Sequence, residues 1–142
     1  MRYFIFVSHG QLASGMCSAL SMLVGQRDDV LHVAFQDGMD AATFRSNVQA
    51  LVSPITNQDE VMVMADLISG SPLATTMEIL AQQLDLAHVR AIGGINLPLA
   101  ITAIETESDP LDDAVKAMME CAVEQVQQFD LGADVGSDSD DI

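Results

Sequence analysis

The sequence predicts an α/β fold, a small doubly wound and mainly parallel sheet with helices on both faces. Three observations carry this. Strand-like and helix-like patterns alternate four times along the chain, and crossovers of that length make right-handed parallel βαβ units. The opening strand holds an unbroken apolar or aromatic run, Tyr3 to Val7, as suits a central parallel strand buried on both faces. The chain has 142 residues, 49% of them hydrophobic, enough for one domain with a sizeable core.

The elements follow in order. After Arg2–Val7, the triplet Ser8-His9-Gly10 closes the first strand, and Gly10 lets the backbone turn sharply and leaves room beside the imidazole. Leu12, Met16, Ala19, Leu20 and Leu23 form one helical stripe, and Gly25 is placed to end it. Val30 to Phe35 reads as the second strand, Asp37-Gly38 as a turn and Asp40 as an N-cap. Phe44, Val48, Leu51 and Val52 give the second stripe, ended by Pro54. Val61 to Ala65 is the third strand, closed by Asp66. Ser71 as N-cap with Pro72 at the first helical position predicts a sharp helix start, followed by the stripe Leu73, Met77, Leu80 and Leu84. Val89 to Ile92 is the fourth strand, followed by Gly93-Gly94. Asn96-Leu97-Pro98 opens a short helix to about Glu105, and Asp109-Pro110 starts the last helix. Asp112 and Asp113 lie in its first turn, where the helix dipole favours them. Its stripe is Leu111, Val115, Met118, Ala122 and Val126. Residues 1–129 therefore read as the domain, and the Gly, Ser and Asp composition of residues 130–142 reads as an acidic, disordered tail.

Charge excludes several function classes. The formal balance is −16, from 21 acidic and 5 basic residues, which argues against nucleic acid and anionic membrane surfaces, since both need clustered Lys or Arg. A partner with a basic face is favoured instead. Cys17 and Cys121 fall among apolar residues of helical patterns and read as small buried hydrophobes, with neither a disulfide framework nor metal-ligand spacing. His32 and His88 lie in or beside strands and read as packing or surface histidines, and the methionines as core filler. The short apolar opening lacks a small-residue cleavage site, so the expected location is cytoplasmic.

The candidate chemistry sits at the ends of the first and third strands. In a doubly wound sheet these strands are commonly neighbours at the topological switch point, and ligands bind outside their carboxyl ends. His9 and Asp66 would then face one another, with the helix after Gly70-Ser71-Pro72 pointing its N-terminus into the same crevice. A carboxylate hydrogen-bonded to one ring nitrogen fixes the tautomer and leaves the other nitrogen as a nucleophile. Unpaired N–H groups and the positive dipole end suit an anion. None of Arg2, Arg27, Arg45, Arg90 and Lys116 lies in a strand-end loop of this site, whereas a pocket that hydrolyses phosphate esters clamps the oxygens with Arg. This combination predicts phosphoryl transfer through phosphohistidine, in a carrier that holds the group only modestly.

Phe4 to Gly10, Met64 to Pro72 and Gly93-Gly94-Ile95-Asn96-Leu97-Pro98 together resemble the mannose-family EIIA domains of the bacterial phosphoenolpyruvate-dependent sugar phosphotransferase system, over roughly residues 2 to 128. The resemblance implies that His9 accepts phosphate from the phosphocarrier HPr and passes it to an EIIB domain during sugar uptake. It implies that Asp66 orients His9, that Gly10, Gly70 and Ser71 hold the phosphoryl oxygens, and that Asn96 supports the rim. It further implies strand order 2-1-3-4 and a homodimer exchanging a short antiparallel C-terminal strand, here within Gln125 to Leu131. No cofactor or metal is implied, and membrane permease subunits would be met only indirectly. Family members often continue through an Ala/Pro linker into EIIB; the acidic end of this chain leads to the expectation of a separate EIIB polypeptide.

Stand-alone relatives that regulate, or that serve dihydroxyacetone kinase, remain alternatives, as does a non-catalytic binding module. A histidine phosphatase would begin with Arg-His-Gly, where this chain has Ser8. A receiver domain would need an acidic pair after the first strand and a lysine after a late one, and Lys116 lies inside the last helix.

Overall fold

The computed structural model describes residues 1–132. In chain order the elements are β1 (Arg2–His9), α1 (Leu12–Val24), β2 (Val30–Phe35), α2 (Ala41–Val52), β3 (Glu60–Ala65), α3 (Ser71–Gln83), a short 3-10 turn (Leu86–His88), β4 (Val89–Gly93), α4 (Leu97–Glu105) and α5 (Leu111–Glu124). The strands form one parallel sheet in the order β2-β1-β3-β4, with Val7 opposite both Val33 and Ala65, and Ala65 opposite Gly93.

Alternation along the central strands divides the core into two layers. Phe4 and Phe6 of β1 and Met62 and Met64 of β3 face α1, α4 and α5, meeting Leu20, Leu99, Ala103 and Met118. Ile5, Val7, Val61, Val63 and Ala65 face α2 and α3, meeting Phe44, Val48, Leu73 and Leu80. Successive strand residues point to opposite faces, so a strand covered on both must be apolar throughout. The run from Phe4 to Val7 is fully buried, each such side chain contributing roughly 1.5–3 kcal/mol.

Several boundaries differ from the sequence expectation. β1 runs on through Ser8 and His9, because β2 continues alongside and His9 pairs with Phe35; the turn starts only at Gly10. Asp40 caps α2 by accepting from the Thr43 amide at 2.7 Å, and Gly25 ends α1 with its N–H donating to Ser21 O. Ser71 is not the N-cap of α3. Gly70 takes that place with φ +146°, and Ser71 is the first helical residue. The chain enters this helix through a backbone conformation that favours glycine, which moves the cap one residue earlier. α5 stops at Glu124, so Val126 leaves the stripe and is exposed. Among the described residues, Gln125 to Leu131 pairs with no strand. The predicted tail from Ala133 onward lies outside the described residues.

Both cysteines are free and partly buried, and burial pushes the Cys17 thiol up to about 11, as expected of a packed thiol rather than a reactive one. His32 is exposed. His88 is partly buried, with Nδ1 3.3 Å from Asp59 O. No helix among the described residues is long and apolar enough to cross a membrane.

Candidate functional site

The sheet brings the ends of β1 and β3 side by side. Asp66 follows the last residue of β3 and extends the ladder, its amide donating to Val7 O at 3.3 Å. Its carboxylate then turns toward β1. Oδ2 accepts from the His9 amide at 2.9 Å and lies 2.9 Å from His9 Nδ1, while Oδ1 accepts from the Leu67 amide at 2.9 Å. Burial pushes the Asp66 carboxyl up, but the His9 amide, the His9 ring and the Leu67 amide together outweigh it and hold the group below its usual range. An ionised carboxylate only accepts, so Nδ1 carries the ring proton and donates it. Nε2 is left with its lone pair, on a ring whose side chain is 51% exposed, whereas the Asp66 side chain is 13% exposed.

The loop from Asp66 to Gly70 carries the chain from the carboxylate to the tip of α3. A Cβ on Gly70 would stand 3.5 Å from His9 Cε1, so the start of α3 lies against the ring edge. Gly70 has no side chain to cap the helix, and Pro72 at its start has no N–H. Among the described residues no acceptor meets the Ser71 or Leu73 amide, and the Ala74 amide bonds to Gly70 O at 3.1 Å. A helix tip with free donors beside an imidazole edge is an electrostatically favourable place for an anion attached to that ring.

His9, Asp66, Gly70 and Ser71 are therefore brought to one edge. Gly10 is adjacent, with φ +56°, but its amide is engaged by Phe35 O at 2.9 Å; it supplies the turn and open space rather than a free donor. Asn96 is spent on structure. Its Oδ1 accepts from the Leu99 amide, capping α4, and its Nδ2 donates to Ala122 O near the end of α5, both at 3.0 Å. Each arginine is tied to carboxylates elsewhere, Arg2 to Glu60, Arg27 to Asp29 and Glu107, Arg45 to Glu78 and Arg90 to Asp112.

Three features escaped sequence reasoning. Buried Ser8 accepts the Ala13 amide at 2.7 Å through its hydroxyl, closing the turn into α1; a serine before a predicted helix was the available signal. Leu67 and Ile68, in the loop after Asp66, and Leu12, at the start of α1, are 53%, 71% and 49% exposed, giving the segments around His9 apolar side chains that face solvent. Gly93 lies directly beneath the Ile68 backbone, a contact between distant residues with no local signature.

The chain was compared with known proteins. It matches the family described as "EIIA-man: PTS system fructose IIA component" over residues 3–131. It is 36% identical over 109 residues to the sorbose-specific EIIA component of the phosphotransferase system from Klebsiella pneumoniae, covering 75% of this chain and 76% of that protein. It is 26% identical over 112 residues to the mannose-specific EIIAB component from Escherichia coli K12, covering 78% of this chain but 34% of the longer protein. The fold superimposes on the mannose/sorbose-specific IIA subunit from Enterococcus faecalis with TM-score 0.79 at 23% identity, covering 92% and 96% of the two chains. The matched span takes in every helix and all strand residues but Arg2, together with His9 and Asp66, and the chain belongs to the mannose-type EIIA family of the phosphotransferase system.

Proposed function

We propose that this EIIA protein is a phosphocarrier that takes a phosphoryl group from phospho-HPr onto Nε2 of His9 and passes it to an EIIB domain during sugar uptake. The observation that carries the proposal is the 2.9 Å contact between His9 Nδ1 and Asp66 Oδ2 on a ring left half exposed. The Nε2 lone pair attacks phosphorus, and the Nε2–P bond forms as the donor's bond to phosphorus breaks. The proton stays on Nδ1 throughout, facing Asp66, whose charge offsets the positive character the ring acquires. The Ser71 and Leu73 amides and the Ser71 hydroxyl receive the phosphoryl oxygens, each such interaction contributing ~0.3–1 kcal/mol. With no arginine clamp the group is held loosely and is released to the next nucleophile.

An open surface suits this role. The apolar side chains of Leu12, Leu67 and Ile68 stand where two protein carriers in turn must press their own sites against Nε2. Residues 1–129 act as the EIIA unit in the cytoplasm, with no cofactor and with permease subunits met only through EIIB. The exposed Val126, Phe129 and Leu131 favour a homodimer that covers them with a second copy, the segment adding to the sheet of its partner. A regulatory carrier, or one serving dihydroxyacetone kinase, would use the same chemistry with a different acceptor.

Incubation with phosphoenolpyruvate, enzyme I and HPr tests the proposal. Acid-labile label should appear on the parent and be absent from His9→Ala. Equal labelling of the two would refute it.

A further inference from the structure

We infer that Gly93 is a positioning residue for His9 chemistry: by lacking a side chain it lets the Asp66–Gly70 loop settle onto the end of β4, and so holds the tip of α3 against the imidazole. The inference rests on the phosphocarrier reading for its consequence, though not for its geometry.

A Cβ on Gly93 would lie 2.3 Å from Ile68 Cα and 2.5 Å from Ile68 N. Both are backbone atoms, so no rotamer change relieves the contact. The loop would have to rise by about 1 Å before the pair reached ordinary van der Waals distance. Ile68 is the midpoint of a segment whose two ends both flank His9: Asp66 bonds Nδ1 and the backbone amide, and Gly70 lies where an added Cβ would stand 3.5 Å from Cε1.

The two ends are not equally fixed. Asp66 is held by its amide bond to Val7 O at 3.3 Å, by the Gly94 amide donating to Asp66 O at 3.1 Å and by the Leu67 amide on its own carboxylate. Leu67, Ile68, Ser69 and Gly70 are exposed, and Gly70 is anchored only through the helix it opens. A push at Ile68 therefore moves Gly70 and the free amides of α3 away from the ring while the His9–Asp66 pair stays. Exposed Leu67 and Ile68 would be carried with the loop. Misplacement by about 1 Å of groups that act only on the transferring phosphoryl costs on the order of 10- to 100-fold in rate.

The neighbouring glycine provides the control. A Cβ on Gly94 meets nothing within 4 Å, though its φ of +74° strains any other residue. Gly93→Ala and Gly94→Ala should both lower stability. Only Gly93→Ala should shift the Gly70 and Ser71 amide resonances while keeping the Nδ1–H signal of His9, and with that signal kept it should slow transfer from phospho-HPr roughly 10- to 100-fold. Unmoved Gly70 and Ser71 resonances in Gly93→Ala overturn the inference. So does a transfer loss that is equal in the two variants and follows their stability. A parent that takes no label overturns the phosphocarrier reading instead, and the resonance comparison still decides the geometry.

Discussion

At the scale of single residues the site depends on which atoms of Asp66 accept which protons. Both carboxylate oxygens are acceptors here, for three N–H groups. An amide in the same place offers one accepting oxygen and an NH2 that only donates. Asp66→Asn must therefore turn its NH2 toward the Leu67 amide or toward His9, leaving a donor unsatisfied or moving the ring proton to Nε2. The fold should survive at a cost of about 1–3 kcal/mol, and transfer should slow by on the order of 100-fold or more. Unchanged transfer would remove Asp66 from the mechanism. The same carboxylate makes stability depend on pH. Its folded pKa lies below the ordinary aspartate value of 3.8, so its contribution is fully present above that value and is lost as pH falls through the lower folded one. Urea unfolding below about pH 4 should show a shallower fall with acid in Asp66→Asn than in the parent. Equal slopes would contradict the assigned hydrogen bonds.

At the scale of elements, α3 matters because its tip serves the site while its body fastens it to the sheet. Leu73, Ile79 and Leu80 are buried against β1 and β3. Leu80→Ala should cost roughly 2–5 kcal/mol, read as a lower urea midpoint with an unchanged m-value. A loss within experimental error would mean that the face does not carry the packing assigned to it. The elements themselves were legible because two-sided burial writes apolar runs such as Phe4 to Val7, and helices write stripes such as Phe44, Val48 and Val52. Asp66 and His9 were legible as neighbours because strands 1 and 3 adjoin at a switch point. The cap of α3 was not. Ser71 and Pro72 carry the local signature of a helix start, yet the loop lying on Gly93 brings the chain in at a positive φ that Gly70 alone among them accepts. Asn96 likewise matched a family loop near the site, but its two hydrogen bonds are settled by α4 and α5, whose packing no local pattern displays. Which ring nitrogen faces the carboxylate depends on side-chain direction, which no local pattern displays.

At the scale of the whole molecule, a formal charge of −16 repels itself in the compact state and attracts basic partners. Salt shortens the reach of both effects, from about 10 Å at 0.1 M to about 3 Å at 1 M. The thermal midpoint should rise between these concentrations, while the rate of transfer from HPr should fall if its face is basic. A falling midpoint would assign stability to the arginine ion pairs instead. The apolar segment after α5 makes a separate prediction. The parent should sediment as a dimer and Phe129→Asp as a monomer or a much weaker dimer, with His9 still labelled in both. A monomeric parent would remove the proposed exchange.

The central claim is that Asp66 aims His9 so that Nε2 alone receives phosphate. Nitrogen-15 NMR of the ring, before and after phosphorylation by phospho-HPr, tests it most directly. In its neutral form the unphosphorylated ring should carry its proton on Nδ1, and phosphorus coupling should then appear on Nε2. A proton on Nε2 in the resting protein, or phosphorus bonded to Nδ1, would contradict it.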